Sequence, residues 1–384
     1  MAKNVKSGSK RLGIFNSLML VFNALAIIAL LFSYLSTHIS PARCWPLTFF
    51  GLLYPYLALI NIFFTGYWIL RKRWLFLGSA FMILVGWNHV GRTIQIFSPN
   101  DMPASVNHFK LLTYNVKNLS NDNVQLIDPG IKNKIIGFLD RENPDILCLQ
   151  EFAVIHPDPE AYIDTLAVQL NMPYHDHAHY NKRTRRGIDV IIIFSKFPIL
   201  NYGSMRGNET RTYAAFADLQ IGKDTVRVIN VHLESFRFRQ EDYHFINELD
   251  LQLEENENFK EGSARILKKV RTAFSRRSSQ VDELVGFMNG SPYPVILCGD
   301  FNDTPNSYTY QKLSSNLKDS FIESGSGLGN TYIGNLPSYR IDYILYDEYF
   351  ASRQSHRMLV KLSDHYPVSC ILYPRQTNHS WNSN

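Results

Sequence analysis

The first hundred residues contain no aspartate and no glutamate. Nine lysines and arginines stand there without an acidic partner, and the first acid is Asp101. The remaining chain holds 30 basic and 34 acidic residues, a net of −4, so the overall +5 comes from the N-terminal part alone. Such an asymmetry marks two classes of segment in one chain. It excludes reading the pI of about 8.8 as a basic nucleic-acid-binding surface. Cysteine is scarce too, four in 384 residues. Cys148, Cys298 and Cys370 lie in the apolar runs DILCLQ, PVILCGD and PVSCILY, and Cys44 stands apart. No spacing suggests zinc or a disulfide framework, so the three read as buried small hydrophobes, with one pairing left open. A phosphate-cradling glycine loop is also missing: GSGLG at 325–329 lacks the lysine and helix that such a loop requires. No nucleophilic serine or cysteine motif and no internal repeat is present.

Hydrophobic residues fill the acid-free segment. Three apolar runs cover about 14–36, 45–70 and 74–97. About 20 apolar residues are needed to cross the hydrocarbon core, and the first two runs qualify easily. The third reaches that length only by including Asn88, His89 and Arg92, which read as its interfacial end with Arg92 snorkelling, in preference to a polar intramembrane site. Trp45, Tyr67, Trp68 and Trp74 fall near the run ends, where amphipathic rings favour the interface. The first run exceeds a usual signal core, and THISPARC after it offers no small-residue cleavage site, which favours retained helices. Basic residues count four before the first run, one in the next loop and three in the loop after that. This predicts a cytoplasmic N-terminus in a cell membrane and, with three crossings, everything after residue 100 outside; a re-entrant third run would leave it inside.

Residues 101–375 are long enough for one large core. Strand-like and helical stretches follow one another: strands near 110–116, 145–150, 190–194, 212–219, 226–232, 295–298, 340–345 and 367–372, and helices near 131–139, 161–170 and 263–288. Many strands with few helices between them predict two packed sheets flanked by helices, preceded by the membrane segment. Residues 236–262 interrupt the pattern with aromatics and acids, and read as a solvated helical insertion, with a lid or a membrane-facing arm as the alternatives. The tail 376–384 is polar and reads as disordered.

Polar residues gather where buried strands end. Tyr114-Asn115, Gln150-Glu151, the alternating Asn230, His232 and Glu234, then Asp300, Asn302 and Asp303, and finally Asp342 with Asp364-His365 are the five places. Polar groups on apolar strands cost free energy unless paired or bound to metal, so five together predict one converging site. Glu151, Asp364 and the Asn115 amide are hard oxygen ligands suited to Mg2+ or Mn2+. His232 and His365 can donate to phosphate or move a proton, Asp300 can hold an attacking water that Asn302 orients, and Asp342 can fix the tautomer of His365. Together they describe metal-assisted attack of water on a phosphate ester. Each alone has a bland reading: a solvated edge glutamate, a structural Asp–His pair, an Asx turn before Pro305.

The stretches LLTYNVKNL, PDILCLQE, GIDVIIIFSKFPI, NVHLES, CGDFNDTP, RIDYIL and SDHYPV, in this order over residues 108–372, resemble the endonuclease/exonuclease/phosphatase superfamily, the DNase-I-like phosphoesterases, here as a membrane-anchored member of bacterial type. The resemblance implies a four-layered α/β sandwich with the site at one sheet rim. It implies Glu151 as main metal ligand helped by Asn115 and Asp364, Asp300 and Asn302 at the nucleophile, His232 and His365 flanking the phosphate, and Asp342 orienting His365. Arg277 and Gln280, in RRSSQ, resemble a helix motif of the lipid-acting branches. Arg277 and Arg340 are expected as substrate contacts; the alternatives are that Arg277 and Gln280 brace the site or are plain helix surface, and that Arg340 merely pairs with an acid. The implied partners are a phosphate ester (lipid headgroup, nucleotide or nucleic acid) and the bilayer, with no obligate protein partner inferred. The acidic balance after residue 100 argues against a non-specific nuclease, whose only strong basic feature would be Lys182-Arg183-Thr184-Arg185-Arg186. A nuclease and a non-catalytic receptor for a phosphorylated ligand remain the alternatives.

Overall fold

The computed structural model describes residues 13–96, 107–121, 124–179, 187–207, 211–248 and 257–375. The cluster 182–186 and the tail 376–384 lie outside them. Six helices come first: α1 (Ile14–Ser36), α2 (Pro41–Cys44), α3 (Thr48–Leu52), α4 (Tyr54–Leu70), α5 (Phe76–Val85) and α6 (Trp87–Thr93). Of these, α1 is long and apolar enough to cross a membrane. The second apolar run is not one helix. It breaks at Leu53, and its halves meet at 54°. Pro55 stands in the first turn of α4, where a missing N–H is tolerated but an unbroken helix through it is not. The third run breaks at Gly86 into α5 of ten residues and α6 of seven.

These helices pack through a few polar contacts rather than a large core. Asn23 donates to Ser79 at 2.6 Å and accepts from the Trp68 indole at 2.8 Å. Asn61 donates to the carbonyl of Ala26 at 3.1 Å. Phe22, Leu25, Ile62, Phe63, Phe81 and Leu84 face outward, each more than half exposed. An apolar surface of this extent marks an interaction site and is typical of neither a core nor a free surface.

The rest of the chain runs β1 (Phe109–Asn115), β2 (Ser120–Asn121), β3 (Val124–Ile127), α7 (Pro129–Glu142), β4 (Ile146–Val154), α8 (Pro159–Gln169), β5 (Tyr174–His179), β6 (Ile188–Ser195), β7 (Ile199–Arg206), β8 (Thr212–Ile221) and β9 (Asp224–His232). Then follow α9 (Gln240–Glu248), α10 (Glu257–Asn289), β10 (Val295–Asp300), α11 (Tyr308–Leu313), β11 (Lys318–Asp319), α12 (Ser320–Ser324), β12 (Asp342–Tyr346), β13 (Phe350–Arg357) and β14 (Val368–Pro374). One sheet has the order β13-β14-β1-β4-β6-β5 and the other β11-β12-β10-β9-β8-β7. Both are mixed, because β1 with β4 and β9 with β10 are parallel while the other pairs are antiparallel.

Four layers follow from which faces are apolar. In β6, Ile191 and Ile193 pack between the sheets against Ala217, Val228 and Cys298. Val190, Ile192 and Phe194 point the other way, against Ile135 of α7 and Leu166 of α8. A strand buried on both faces reads as a continuous apolar run, as IDVIIIFS does. The second sheet packs Ile229 and Leu297 against Val281 and Leu284 of α10. Local signals agree with this arrangement. Asp128 caps α7 by accepting from the N–H groups of Gly130 and Ile131, Pro129 opens it, and left-handed Asn143 closes it before Pro144.

The two sheets are pinned to each other by Asn230. Its amide donates to the carbonyls of Leu149 (3.0 Å) and Ile192 (2.9 Å) and accepts from Gln150 (2.5 Å). All three partners belong to the opposite sheet. Asn230→Ala is therefore expected to lower stability by about 3 kcal/mol or more, since each orphaned buried group costs roughly 1–3 kcal/mol. Thermal melting of the full chain in detergent measures this, with Lys223→Ala in the exposed β8–β9 turn as the near-neutral reference. Equal melting temperatures for the two variants would refute the pinning role.

Candidate active site

The sheets bring their polar strand ends together at one rim. Asn115 ends β1, Glu151 lies in β4, His232 ends β9 and Asp300 ends β10. The parallel register pairs Asn115 with Gln150 and His232 with Asp300. Asp342 opens β12 opposite Asp300, and His365 precedes β14.

Two residues reach the site through unusual backbone. The pairing of β4 with β6 shifts register between Leu149 and Phe152, and Glu151 has φ 49°. The bulge turns Gln150 in between the sheets and leaves Glu151 at the rim. Asn302 has φ 52°, and its N–H donates to the Asp300 carboxylate at 2.8 Å. Left-handed backbone at a non-glycine residue carries strain that clusters at functional sites. Gly299 has φ 127°, and a Cβ there would meet the carbonyl oxygen of Val231 at 2.1 Å, so only glycine lets β9 and β10 end together.

Asp300 is the hub. It is buried, and its Oδ2 accepts from the amides of Asn115 (3.0 Å) and Asn302 (3.1 Å). His232 Nε2 lies 3.7 Å and His365 Nε2 3.9 Å from the same oxygen. Glu151 sits beside it, 3.3 Å from His232 Nε2 and 3.2 Å from the Asn115 amide nitrogen. Asp342 accepts from His365 Nδ1 at 2.9 Å, with the ring nitrogen as donor, and so turns Nε2 toward Asp300. Asp364 lies 3.3 Å from Lys117 Nζ.

The electrostatics follow from crowding carboxylates in a dry place. Only 26% of the Glu151 side chain meets solvent, and burial, together with Asp364, pushes its carboxyl up to about 7. Asp300 is raised by burial and by Asp342. His232 is lowered by burial. Burial would lower His365 as well, but Asp342 and Asp300 outweigh it and hold the imidazole up at about 10.

The donor set suits a hard divalent cation, which would relieve the surplus negative charge that holds Glu151 and Asp300 up. Asp300, Asp342 and His365 offer ligand atoms all within 4.8 Å of one another. Asn115 differs from expectation. Its nitrogen, not its oxygen, faces Glu151 and Asp300, and its oxygen accepts from the Lys117 N–H.

Arg277 and Arg340, expected as substrate contacts, pair with carboxylates outside this cluster. Arg277 is buried, 3.0 Å from Asp303, donates to the carbonyl of Glu234 and packs on Phe236 and Phe274. Gln280 accepts from the Glu234 N–H, so the RRSSQ pair braces the strand exit. Arg340 is buried against Asp319 (2.7 Å) and donates to the carbonyl of Arg92. Each guanidinium is paired with an interior carboxylate and packed against aromatic rings. Glu234 likewise turns to Arg237 and Arg276, since the β9 alternation ends at His232.

The structure also adds residues that the strand-end reasoning missed. A cavity of about 170 Å3 opens over Glu151 and His232, lined by Asn118, Asp189, Arg211, Ser235 and Arg237. Arg211 and Arg237 lie in loops outside any periodic pattern. Only their place before β8 and after NVHLES in the sequence hinted at them.

In the metal-free chain, the His365 ring is expected to stay protonated well above neutral pH. Its folded value is raised from 6.5 to about 10, so its contribution to stability is complete below about 6.5 and is lost as pH climbs through 10. Ring 15N shifts of the metal-free full chain report the titration, and Asp342→Asn is expected to bring it down. A midpoint near 6.5 without the substitution would contradict the assignment.

A family model described as the endonuclease/exonuclease/phosphatase family matches residues 112–365, and one described as a domain of unknown function matches residues 16–93. No curated protein matches the chain. Among solved structures, an endonuclease/exonuclease/phosphatase from Beutenbergia cavernae is 15% identical, with TM-score 0.49 over 70% of this chain and 72% of that one. The human Nocturnin catalytic domain is 18% identical, with TM-score 0.49 over 72% and 98%. A Bacteroides thetaiotaomicron endonuclease/exonuclease/phosphatase family protein is 16% identical, with TM-score 0.47 over 71% and 100%. The family match runs from β1 to His365, two thirds of the chain, and includes every residue of the rim cluster: the chain belongs to the endonuclease/exonuclease/phosphatase family.

Proposed function

We propose that the chain is a membrane-anchored, divalent-metal-dependent phosphoesterase that hydrolyses a phosphate ester by attack of water. The observation that carries this reading is that Glu151, His232, Asp300 and His365, from both sheets, are linked by successive contacts under 4 Å, in a chain of this family. Glu151 and Asp364, with Asn115 beside them, would hold Mg2+ or Mn2+. When bound, the cation supplies charge to offset the negative charge that develops on phosphate.

The chain's own groups account for the rest. Asp300 accepts the proton of the attacking water, and Asn302 keeps its carboxylate in place through two hydrogen bonds. His365 arrives protonated, because Asp342 and Asp300 hold it so, and donates from Nε2 to a phosphate oxygen. His232, depressed by burial, serves as a neutral donor. Arg211 and Arg237 at the cavity offer charge to the rest of the ester. The nuclease alternative draws on the cluster 182–186, outside the described residues.

The anchor consists of α1, the bent pair α2–α4, and α5 with α6. What supports three crossings is that Phe49 of α3 meets Phe274 edge to face, while His89 of α6 meets Asn306 at 2.7 Å. The start of the second apolar run and the last helical end thus adjoin the same C-terminal domain. With the basic residues counted four, one and three, this domain lies outside the cytoplasm.

The full chain in detergent is expected to hydrolyse bis-p-nitrophenyl phosphate with Mg2+ or Mn2+ and to stop on addition of EDTA. His365→Ala is expected to cost about 10²–10⁴-fold in kcat, with Glu151→Ala and Asp300→Ala similarly inactive. Unchanged turnover in His365→Ala would sink the assignment, and no turnover of DNA, phospholipid or nucleotide esters would favour a receptor. For topology, a C-terminal alkaline phosphatase fusion is expected to be active in a bacterial host; a silent fusion paired with a bright green fluorescent one would place the domain inside.

A further inference from the structure

A groove of about 540 Å3 lies where the helical segment meets the C-terminal domain. Trp45, in the short 3-10 turn Trp45–Leu47 between α2 and α3, forms one wall. The other wall is one face of α10, carrying Leu267, Lys268, Arg271, Ser275 and Arg276. Spacings of three, four and five residues keep Lys268, Arg271, Ser275 and Arg276 on adjoining faces of one helix. The lining holds three cations and no carboxylate.

Most basic residues of α10 are already committed. Arg265 and Lys269 both bind the buried carboxylate of Asp242, and Arg276 lies 3.6 Å from Glu234. Lys268 and Arg271 are different: both are exposed, and among the described residues neither has an ion-pair partner. Two uncommitted cations thus face a half-buried tryptophan across a groove.

The surroundings indicate what the groove takes. Phe50 of α3 packs edge to face on Phe32, near the C-terminal end of α1. Beside Phe32, Leu31 and Leu35 are 43% and 39% exposed, and Leu267 on the α10 wall is 47% exposed. Apolar side chains of the helical segment thus adjoin the wall that carries Trp45, and cations line the facing wall. Tryptophan prefers the headgroup level, and lysine and arginine near that level attract anionic lipid.

We infer that this groove binds the phosphate headgroup of an anionic phospholipid, with Lys268 and Arg271 on the phosphate, Trp45 at the headgroup level and the acyl chains along α1. The inference rests on the membrane reading of α1 but not on the hydrolytic one. The groove is separate from the cavity over Glu151 and His232, with which it shares no lining residue. Its occupant holds α10 and the turn at Trp45 in a fixed relation to the bilayer.

Native mass spectrometry of the full chain in neutral detergent tests this. Phosphatidylglycerol is expected to remain bound, while phosphatidylcholine and inorganic phosphate are not. Each of Lys268→Gln and Arg271→Gln is expected to weaken phosphatidylglycerol binding about fivefold, and the double variant by an order of magnitude or more. Trp45→Ala is a second route to the same loss, and Lys223→Gln on an exposed turn is the control. Melting temperatures and hydrolysis of bis-p-nitrophenyl phosphate should be unchanged in the Lys268 and Arg271 variants. Equal binding of the two lipids, or undiminished phosphatidylglycerol binding in the double variant, overturns the inference. Inorganic phosphate binding as tightly as the lipid overturns a membrane source. A chain released from membranes by alkaline carbonate wash overturns the membrane reading itself, whatever its hydrolytic activity.

Discussion

Two apolar sheets stacked face to face leave no water between them, so a polar side chain near that interface must find its partner in the opposite sheet. Asn230 does so with Leu149, Ile192 and Gln150, and Asp300 does so with Asn115. These contacts fix how the sheets slide and turn against each other. Because they lie toward the same ends of β1, β4, β9 and β10, they also bring Glu151 and His232 together. The same requirement thus sets both the packing of the domain and the place of its site.

Charge follows from that placement. Several carboxylates share one rim, and burial deprives them of the solvent that would make their crowding cheap. Protein donors answer some of it: Asn302 to Asp300, His365 to Asp342, Lys117 to Asp364. The raised Glu151 and Asp300 show that these donors do not answer all of it. A site that keeps surplus negative charge in a small polar cavity is prepared for cations, whether a metal ion or the guanidiniums of Arg211 and Arg237.

The helical segment is more than an appendage in this structure. Asn306 stands four residues beyond Asn302, and it meets both His89 and the Cα of Gly51, where any Cβ would strike its carbonyl oxygen at 2.3 Å. Gln95 and Gly327 exchange two backbone hydrogen bonds. Phe49, Phe274, Arg277 and Asp303 then form a packed line from α3 to the loop that follows Asp300. Asn88, His89 and Arg92 read in sequence as the wet end of a helix. His89 and Arg92 serve instead as part of the seam between the two segments.

Strands buried on both faces were legible as runs: FKLLTY, DILCLQ, IDVIIIFS and PVILCGD each declare themselves by continuous apolar residues. β5, β7 and β13 escaped because they are partly polar, and the outward residues of β7 alternate with half-buried ones. The candidate site residues Glu151, His232 and Asp300 close such runs, while Asp342 and His365 stand just before others; all were legible for the same reason, since a polar group bordering an apolar run is conspicuous. Arg211 and Arg237 were not, because they lie in loops where polarity is unremarked. Nor could spacing alone tell Arg277 and Arg340 from substrate contacts. What the sequence by itself determined was the inventory: an acid-free apolar segment, a set of strands, and the polar groups at their ends. Only the tertiary structure decided which carboxylate each cation would meet, because charges find partners by distance in space, and chain order does not encode that distance.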